Sequence, residues 1–172
     1  MQKEKEEILY EEVFAALNKE KINYVVCGGA AVVILGFSRL TIDLDLIVSL
    51  EKENLDKLYD VLSRLGYRTR ASIKKEEFIQ REVLIKLASE KNMKVVSFYD
   101  PKDAFKIVDI GVNLPGASEI LKRKRFIKIG KLSIPVINID DLIKMKENLA
   151  RPKDIIDAEN LKKIKQEQDE KK

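Results

Sequence analysis

The sequence has no histidine and no tryptophan, and its one cysteine is Cys27. The missing histidine excludes Ser-His-Asp and Cys-His nucleophilic centres and His-ligated zinc. Chemistry is left to carboxylates, lysine, arginine, hydroxyls and the backbone. A lone cysteine excludes an internal disulfide and points to a reducing, cytoplasmic setting. Cys27 itself reads as a small buried hydrophobe. No apolar run is long enough to span a membrane, so no membrane partner is expected. The first residues, MQKEKEEILY, carry charge where a secretory leader needs an apolar stretch, so no leader is expected either. There is no repeat and no low-complexity linker. A single domain over 1–172 is expected, with a core over about 22–139 and C-terminal helices over about 140–165. The net charge of +4 is mild for a nucleic-acid binder.

What is present centres on residues 24–48, YVVCGGAAVVILGFSRLTIDLDLIV. Tyr24, Val25 and Val26 read as an apolar strand ended by Gly28-Gly29. Ala30 to Leu35 is long enough for a short buried helix, and Gly36 stops it. The stretch from Thr41 to Val48 reads as a second strand. On it, Asp43 and Asp45 share one face while Leu44 and Leu46 point into a core. Two like charges side by side repel. A divalent cation between their oxygens removes the conflict, and Mg2+ prefers carboxylate ligands. Glycines at a helix start leave backbone N–H groups open to phosphate. A Gly-Gly pair alone is commonly only a turn, and Asp-x-Asp alone is commonly a solvated edge. Together in one strand–turn–helix–strand unit they point to nucleotide chemistry.

The unit resembles the nucleotidyltransferase superfamily that includes DNA polymerase β and the minimal nucleotidyltransferases, with Gly28, Gly29, Asp43 and Asp45 as the matching residues. Arg39 and Thr41 extend the match, because Arg-x-Thr-x-Asp-x-Asp looks like the AbiEii-type branch, which includes toxins of toxin–antitoxin systems. Gly29 departs from the serine that many members carry there. The resemblance implies an α/β (α+β) fold, a mixed twisted sheet flanked by helices and followed by C-terminal helices. It also implies a third carboxylate on a later strand beside the Asp-x-Asp strand. Asp109, in the apolar segment 105–111, fits that place better than Asp100 or Asp103, which lie at a turn.

Elsewhere, residues 3–19 have the apolar periodicity of an amphipathic helix. Ser49 is the expected cap of a helix marked by Leu55, Leu58, Tyr59, Leu62 and Leu65, with Gly66 after its end. Tyr67 to Ala71 reads as a short strand. Lys75 to Ser89 reads as a helix, although Val83, Ile85 and Leu87 also alternate as a strand would. Met93 to Tyr99 and Ala104 to Val112 read as strands around Asp100-Pro101-Lys102. Ser118 to Lys122 is a short helix candidate, followed by the basic run Lys122-Arg123-Lys124-Arg125, a solvated surface or a polyanion contact. Phe126 to Ile129 and Leu132 to Val136 read as a hairpin around Gly130-Lys131. Two helices close the chain. The first is Leu142 to Leu149, with Asp140 or Asp141 as its cap. The second starts at Arg151-Pro152, and the final QEQDEKK is expected to fray.

This tail carries a second resemblance. Lys146, Arg151, Lys153, Asp154 and Asp157 look like the Lys…Arg-x-Lys-Asp-x-x-Asp motif of AbiEii-type enzymes. Lys146 is a candidate phosphate contact, with Asp154 and Asp157 orienting it from one helix face. Ordinary helix–helix salt bridging is the alternative. The resemblance implies transfer of a nucleoside monophosphate from an NTP, ATP among the candidates, to a hydroxyl. Two Mg2+ ions would sit on Asp43, Asp45 and Asp109, and the triphosphate on Gly28 and Gly29. Arg39 and Lys146 would neutralise phosphate charge, with a structural role open for Arg39. The acceptor would be RNA, with a tRNA end favoured, a protein or a small molecule. An antitoxin-like partner protein is a further expectation. The alternative is a non-catalytic nucleotide-binding or RNA-binding interaction protein on the same fold.

Overall fold

The computed structural model describes residues 9–91 and 94–172. Tyr24–Cys27 forms β1, and all four of its residues are buried. A strand covered on both faces reads as an unbroken apolar run rather than an alternation. It pairs antiparallel with β2, Leu44–Val48. The remaining strands are β3 (Arg68–Thr69), β4 (Val95–Asp100), β5 (Asp103–Gly111), β6 (Arg125–Ile129) and β7 (Leu132–Val136). They make one seven-stranded sheet in the order β3-β4-β5-β2-β1-β7-β6. The sheet is mixed: β2 with β5 and β1 with β7 are parallel, and the other pairs are antiparallel.

Helices cover the sheet. Helix α1, Glu11–Lys19, buries Val13, Phe14 and Leu17. The expected start at residue 3 lies outside the described residues, as does Met93. Helix α2, Gly28–Ile34, begins on the glycine pair itself, which therefore forms the first helical turn rather than a turn ahead of it. Helix α3, Lys52–Arg64, buries Leu55, Leu58, Val61 and Leu62. Gly66 follows it at φ +92°, as a residue past a helix end commonly must. Ser49 does not cap α3. Its N–H still bonds Asn23 O at 3.0 Å alongside the sheet, so two more residues pass before the helix begins.

The segment expected as one helix over 75–89 is two, α4 (Lys75–Phe78) and α5 (Arg81–Glu90). Phe78 and Leu84 are both fully buried. In one continuous helix, positions six apart point about 120° away from each other. The break at Ile79-Gln80 lets both reach the core, where Phe78 stacks edge-on against Phe98 and tilts against Tyr59.

Helix α6 is Ala117–Arg123. Helix α7, Ile139–Leu149, starts earlier than expected and is capped by Asn138, whose side chain accepts from Asp140 N–H at 3.0 Å. Asp141 instead takes Arg123 at 2.7 Å. Helix α8, Pro152–Glu170, carries Pro152 at its first turn and continues through most of the tail expected to fray. Gln166 and Glu170, one turn apart, hydrogen-bond there. Three members of the basic run have partners within the chain: Lys122 pairs with Glu119, Arg123 with Asp141, and Lys124 donates to Asn23, while Arg125 is exposed. Among the described residues no helix is long and apolar enough to cross a membrane.

Candidate active site

The parallel register of β2 and β5 sets Asp45 directly beside Asp109. The same cross-sheet row continues to Cys27 on β1 and to Ser97 on β4. Neighbouring strands lie about 4.8 Å apart, so register partners present their side chains together on one face. Leu44, Leu46, Val108 and Ile110 are fully buried on the other face. The alternation that hides these leucines, valine and isoleucine thus forces the two carboxylates out together.

Asp43 lies one residue ahead of β2, outside the ladder; the strand expected to begin at Thr41 begins at Leu44. It is still close enough for its charge to act on both other carboxylates. Burial, then the charges of Asp109 and Asp43, push Asp45 up to about 6. Burial raises Asp109 as well, with Asp43 adding to the rise. Ser97 works against it by donating to Asp109 Oδ1 at 2.5 Å, and the Arg70 charge opposes it further. Arg70 is anchored beside this row, its N–H on Ser97 O at 2.9 Å and its guanidinium 5.9 Å from the centre of the Tyr99 ring. Ser97 and Arg70 escaped the sequence reading. The available signal was a lone hydroxyl in the apolar run Val95-Val96-Ser97-Phe98.

The glycines serve the carboxylates. Gly28, at φ +62°, lies so close to Asp45 that an added Cβ would stand 2.1 Å from Oδ2. At Gly29 a Cβ would meet Thr41 Oγ1 at 2.5 Å and the Arg39 guanidinium at 2.8 Å. The side of each glycine where a Cβ would stand is thus filled, by Asp45 at Gly28 and by Thr41 and Arg39 at Gly29. Backbone N–H groups at the start of α2 remain the feature a phosphate would use.

Helices α7 and α8 close on a buried ion network. Lys146 is 3% exposed and reaches Asp154 at 3.0 Å and Asp157 at 2.8 Å. Arg39 reaches Asp157 at 2.8 Å, and Arg151 holds Asp154 at 2.5 Å. Three cations thus share two carboxylates. Lys146 of this network, and Lys153 outside it, both lower the pKa of Asp45. Asp154 and Asp157 do orient Lys146 from one helix face. Burial pushes the Cys27 thiol far up, so it stays protonated.

A family model described as "Nucleotidyl transferase of unknown function (DUF2204)" matches residues 6–172. The chain belongs to this nucleotidyltransferase family. The match does not single out the AbiEii-type branch. No curated protein matches in sequence. Among solved structures, the lincomycin-bound lincosamide antibiotic adenylyltransferase LnuA is similar with a TM-score of 0.60 at 15% identity, covering 91% of this chain and 98% of that one. A nucleotidyltransferase-type protein from Thermotoga maritima follows at 0.54 and 18%, covering 91% and 89%. The antibiotic-resistance factor ANT(2'')-Ia stands at 0.55 and 14%, covering 87% and 78%. At these identities the likeness is one of fold.

A nucleotidyltransferase of this fold implies a divalent cation. Among the described residues no three His, Cys, Asp or Glu side chains are gathered tightly enough to hold an ion as they stand. The donor chemistry nevertheless fits one. Asp45 and Asp109 are hard oxygen ligands side by side, both raised in pKa chiefly by burial, and Asp43 adds a third charge to the same field. Asp45, Asp109 and Asp43 are the residues that would hold it.

Proposed function

We propose that this nucleotidyltransferase transfers a nucleoside monophosphate from an NTP to a hydroxyl at the face formed by Asp43, Asp45 and Asp109. The observation that carries the reading is the register pairing of Asp45 with Asp109, with Gly28 pressed against the Asp45 carboxylate. The acceptor oxygen would attack the α-phosphorus as the bond to pyrophosphate breaks. Asp109 would complete the metal site and help take the acceptor proton, with Ser97 fixing one of its oxygens. Asp43, Asp45 and Asp109 would hold Mg2+, expected as two ions, which would neutralise the entering and leaving oxygens. N–H groups of Gly28 and Gly29 would bind the triphosphate. The positive surplus of Lys146, Arg39 and Arg151 would offset its charge without direct contact, since Lys146 is enclosed by carboxylates.

The acceptor class is read as RNA, with a tRNA end favoured, ahead of a protein or a small hydroxylated molecule. An antitoxin-like partner and a cytoplasmic setting belong to the same reading. The experiment is a screen of the four α-labelled NTPs against total RNA, protein and small polyols, with Mg2+ and with EDTA. Label should move to one acceptor class in Mg2+ only. If no NTP yields pyrophosphate with any acceptor while RNA is bound with equal strength in EDTA, the chain is an RNA-binding interaction protein on this fold.

A further inference from the structure

We propose that Tyr10 is a positioning residue of the active site, its hydroxyl fixing the peptide that carries Asp43 against the strand that carries Asp109. The inference rests on the function proposed above.

The ladder between β2 and β5 begins at Leu44 and Val108. Asp43 precedes it, so no strand pairing sets its place. The Tyr10 hydroxyl stands in for the missing rung. It lies 2.6 Å from Ile42 O, the carbonyl of the peptide bond that joins Ile42 to Asp43. It also accepts from the N–H of Ile107, two residues before Asp109, at 3.0 Å. Two further carbonyls are near, Ile107 O at 3.0 Å and Phe105 O at 3.3 Å. A phenol has one hydrogen to give, and the shortest contact, to Ile42 O, takes it. The donated and accepted bonds then clamp one strand to the other at the point where their carboxylates must meet.

Tyr10 is held there at a conformational cost. It is 3% exposed and adopts φ +65°, ψ +26°, the left-handed region that a bulky side chain rarely enters. Its carbonyl accepts from Val13 and Phe14 N–H, both at 3.0 Å, and so opens α1. The left-handed turn is what allows one residue to start the helix and send its ring into the core. Backbone held in a sparsely populated region is commonly tied to a site where geometry matters. The hydroxyl also lies in the field of Asp43, Asp109 and Asp103, and with burial this keeps it protonated and able to donate.

A purely structural tyrosine would alter the melting temperature and nothing specific to the metal or the chemistry. Tyr10→Phe removes the hydroxyl and keeps the ring. It should lower kcat by about 10- to 100-fold, the usual cost of losing a group that orients a ligand carboxylate. The KM for NTP should stay within about twofold, because the groups at the start of α2 are untouched. The Mg2+ concentration giving half-maximal rate should rise. Tyr67→Phe is the control. That buried hydroxyl has no hydrogen-bond partner among the described residues, so its removal should leave both parameters unchanged. If Tyr10→Phe has the parent kcat and Mg2+ response in an active enzyme, the proposal is overturned and the function stands. If the parent protein transfers no nucleotide at all, both fall. Should Tyr10→Phe melt too low to assay, 3-fluorotyrosine at position 10 alters the hydroxyl while keeping the ring. A change in kcat at constant KM supports the assignment there, and an unchanged kcat overturns it.

Discussion

Replacing Asp45 by Asn should stabilise the metal-free protein. Burial and the neighbouring Asp109 and Asp43 raise Asp45 from 3.8 to about 6. At roughly 1.4 kcal/mol for each pKa unit, the ionised form costs the folded state up to about 3 kcal/mol at pH 7. The sign follows from proton linkage: the folded state holds this proton more tightly than the unfolded chain. The penalty is therefore present in full above pH 6 and disappears as the pH falls below 3.8. Asn keeps the shape and lacks the charge. For a chain of this size, about 1–3 kcal/mol corresponds to a rise of roughly 3–10 °C in melting temperature. Melts in EDTA at pH 7 and at pH 4 read this directly. Asp45→Asn should melt higher than the parent at pH 7, and the gap should close at pH 4. Adding Mg2+ should raise the parent and leave the mutant where it is, since an ion that binds only the folded state stabilises by mass action. Equal melting at pH 7, or a lower value for the mutant, would refute the reasoning.

Other substitutions separate the parts of the site. Gly28→Ala would place a methyl against Asp45 Oδ2 at a positive φ, so transfer should be lost, with a destabilisation of about 1–3 kcal/mol by denaturant titration. Lys146→Met leaves two buried carboxylates short of a partner and should cost about 3 kcal/mol. Arg151→Ala removes the half-exposed partner of the buried Asp154 while Lys146 remains, and should cost less than Lys146→Met by the same titration. Asp103→Asn, whose Oδ1 accepts from Phe105 N–H and can do so as an amide, should change neither melting nor transfer.

The acidic strand could be read from sequence because its two requirements coincide: a period of two and an apolar background. Leu44, Leu46, Val108 and Ile110 are buried, and that alternation alone puts Asp45 and Asp109 on one face. Their adjacency is a matter of register between strands 64 residues apart, which one sequence carries only through its resemblance to a family. Helix boundaries were less readable where tertiary packing decides. Burial of both Phe78 and Leu84 breaks a helix that periodicity would run through. Tyr10 looks like one more apolar residue in an amphipathic stripe, because the value of its hydroxyl lies in carbonyls 32 and 95 residues away. The glycine pair was readable as a close approach, but what approaches it includes Asp45, Thr41 and Arg39.

The most direct measurement is a Mn2+ titration followed by electron paramagnetic resonance, with a non-hydrolysable NTP present, on the parent, Asp45→Asn and Asp109→Asn. Mn2+ shares the carboxylate preference of Mg2+ and reports its bound fraction without any knowledge of the acceptor. The account predicts saturable binding by the parent, beyond that of the nucleotide alone, and its loss in both variants. Equal Mn2+ binding by all three proteins would contradict it.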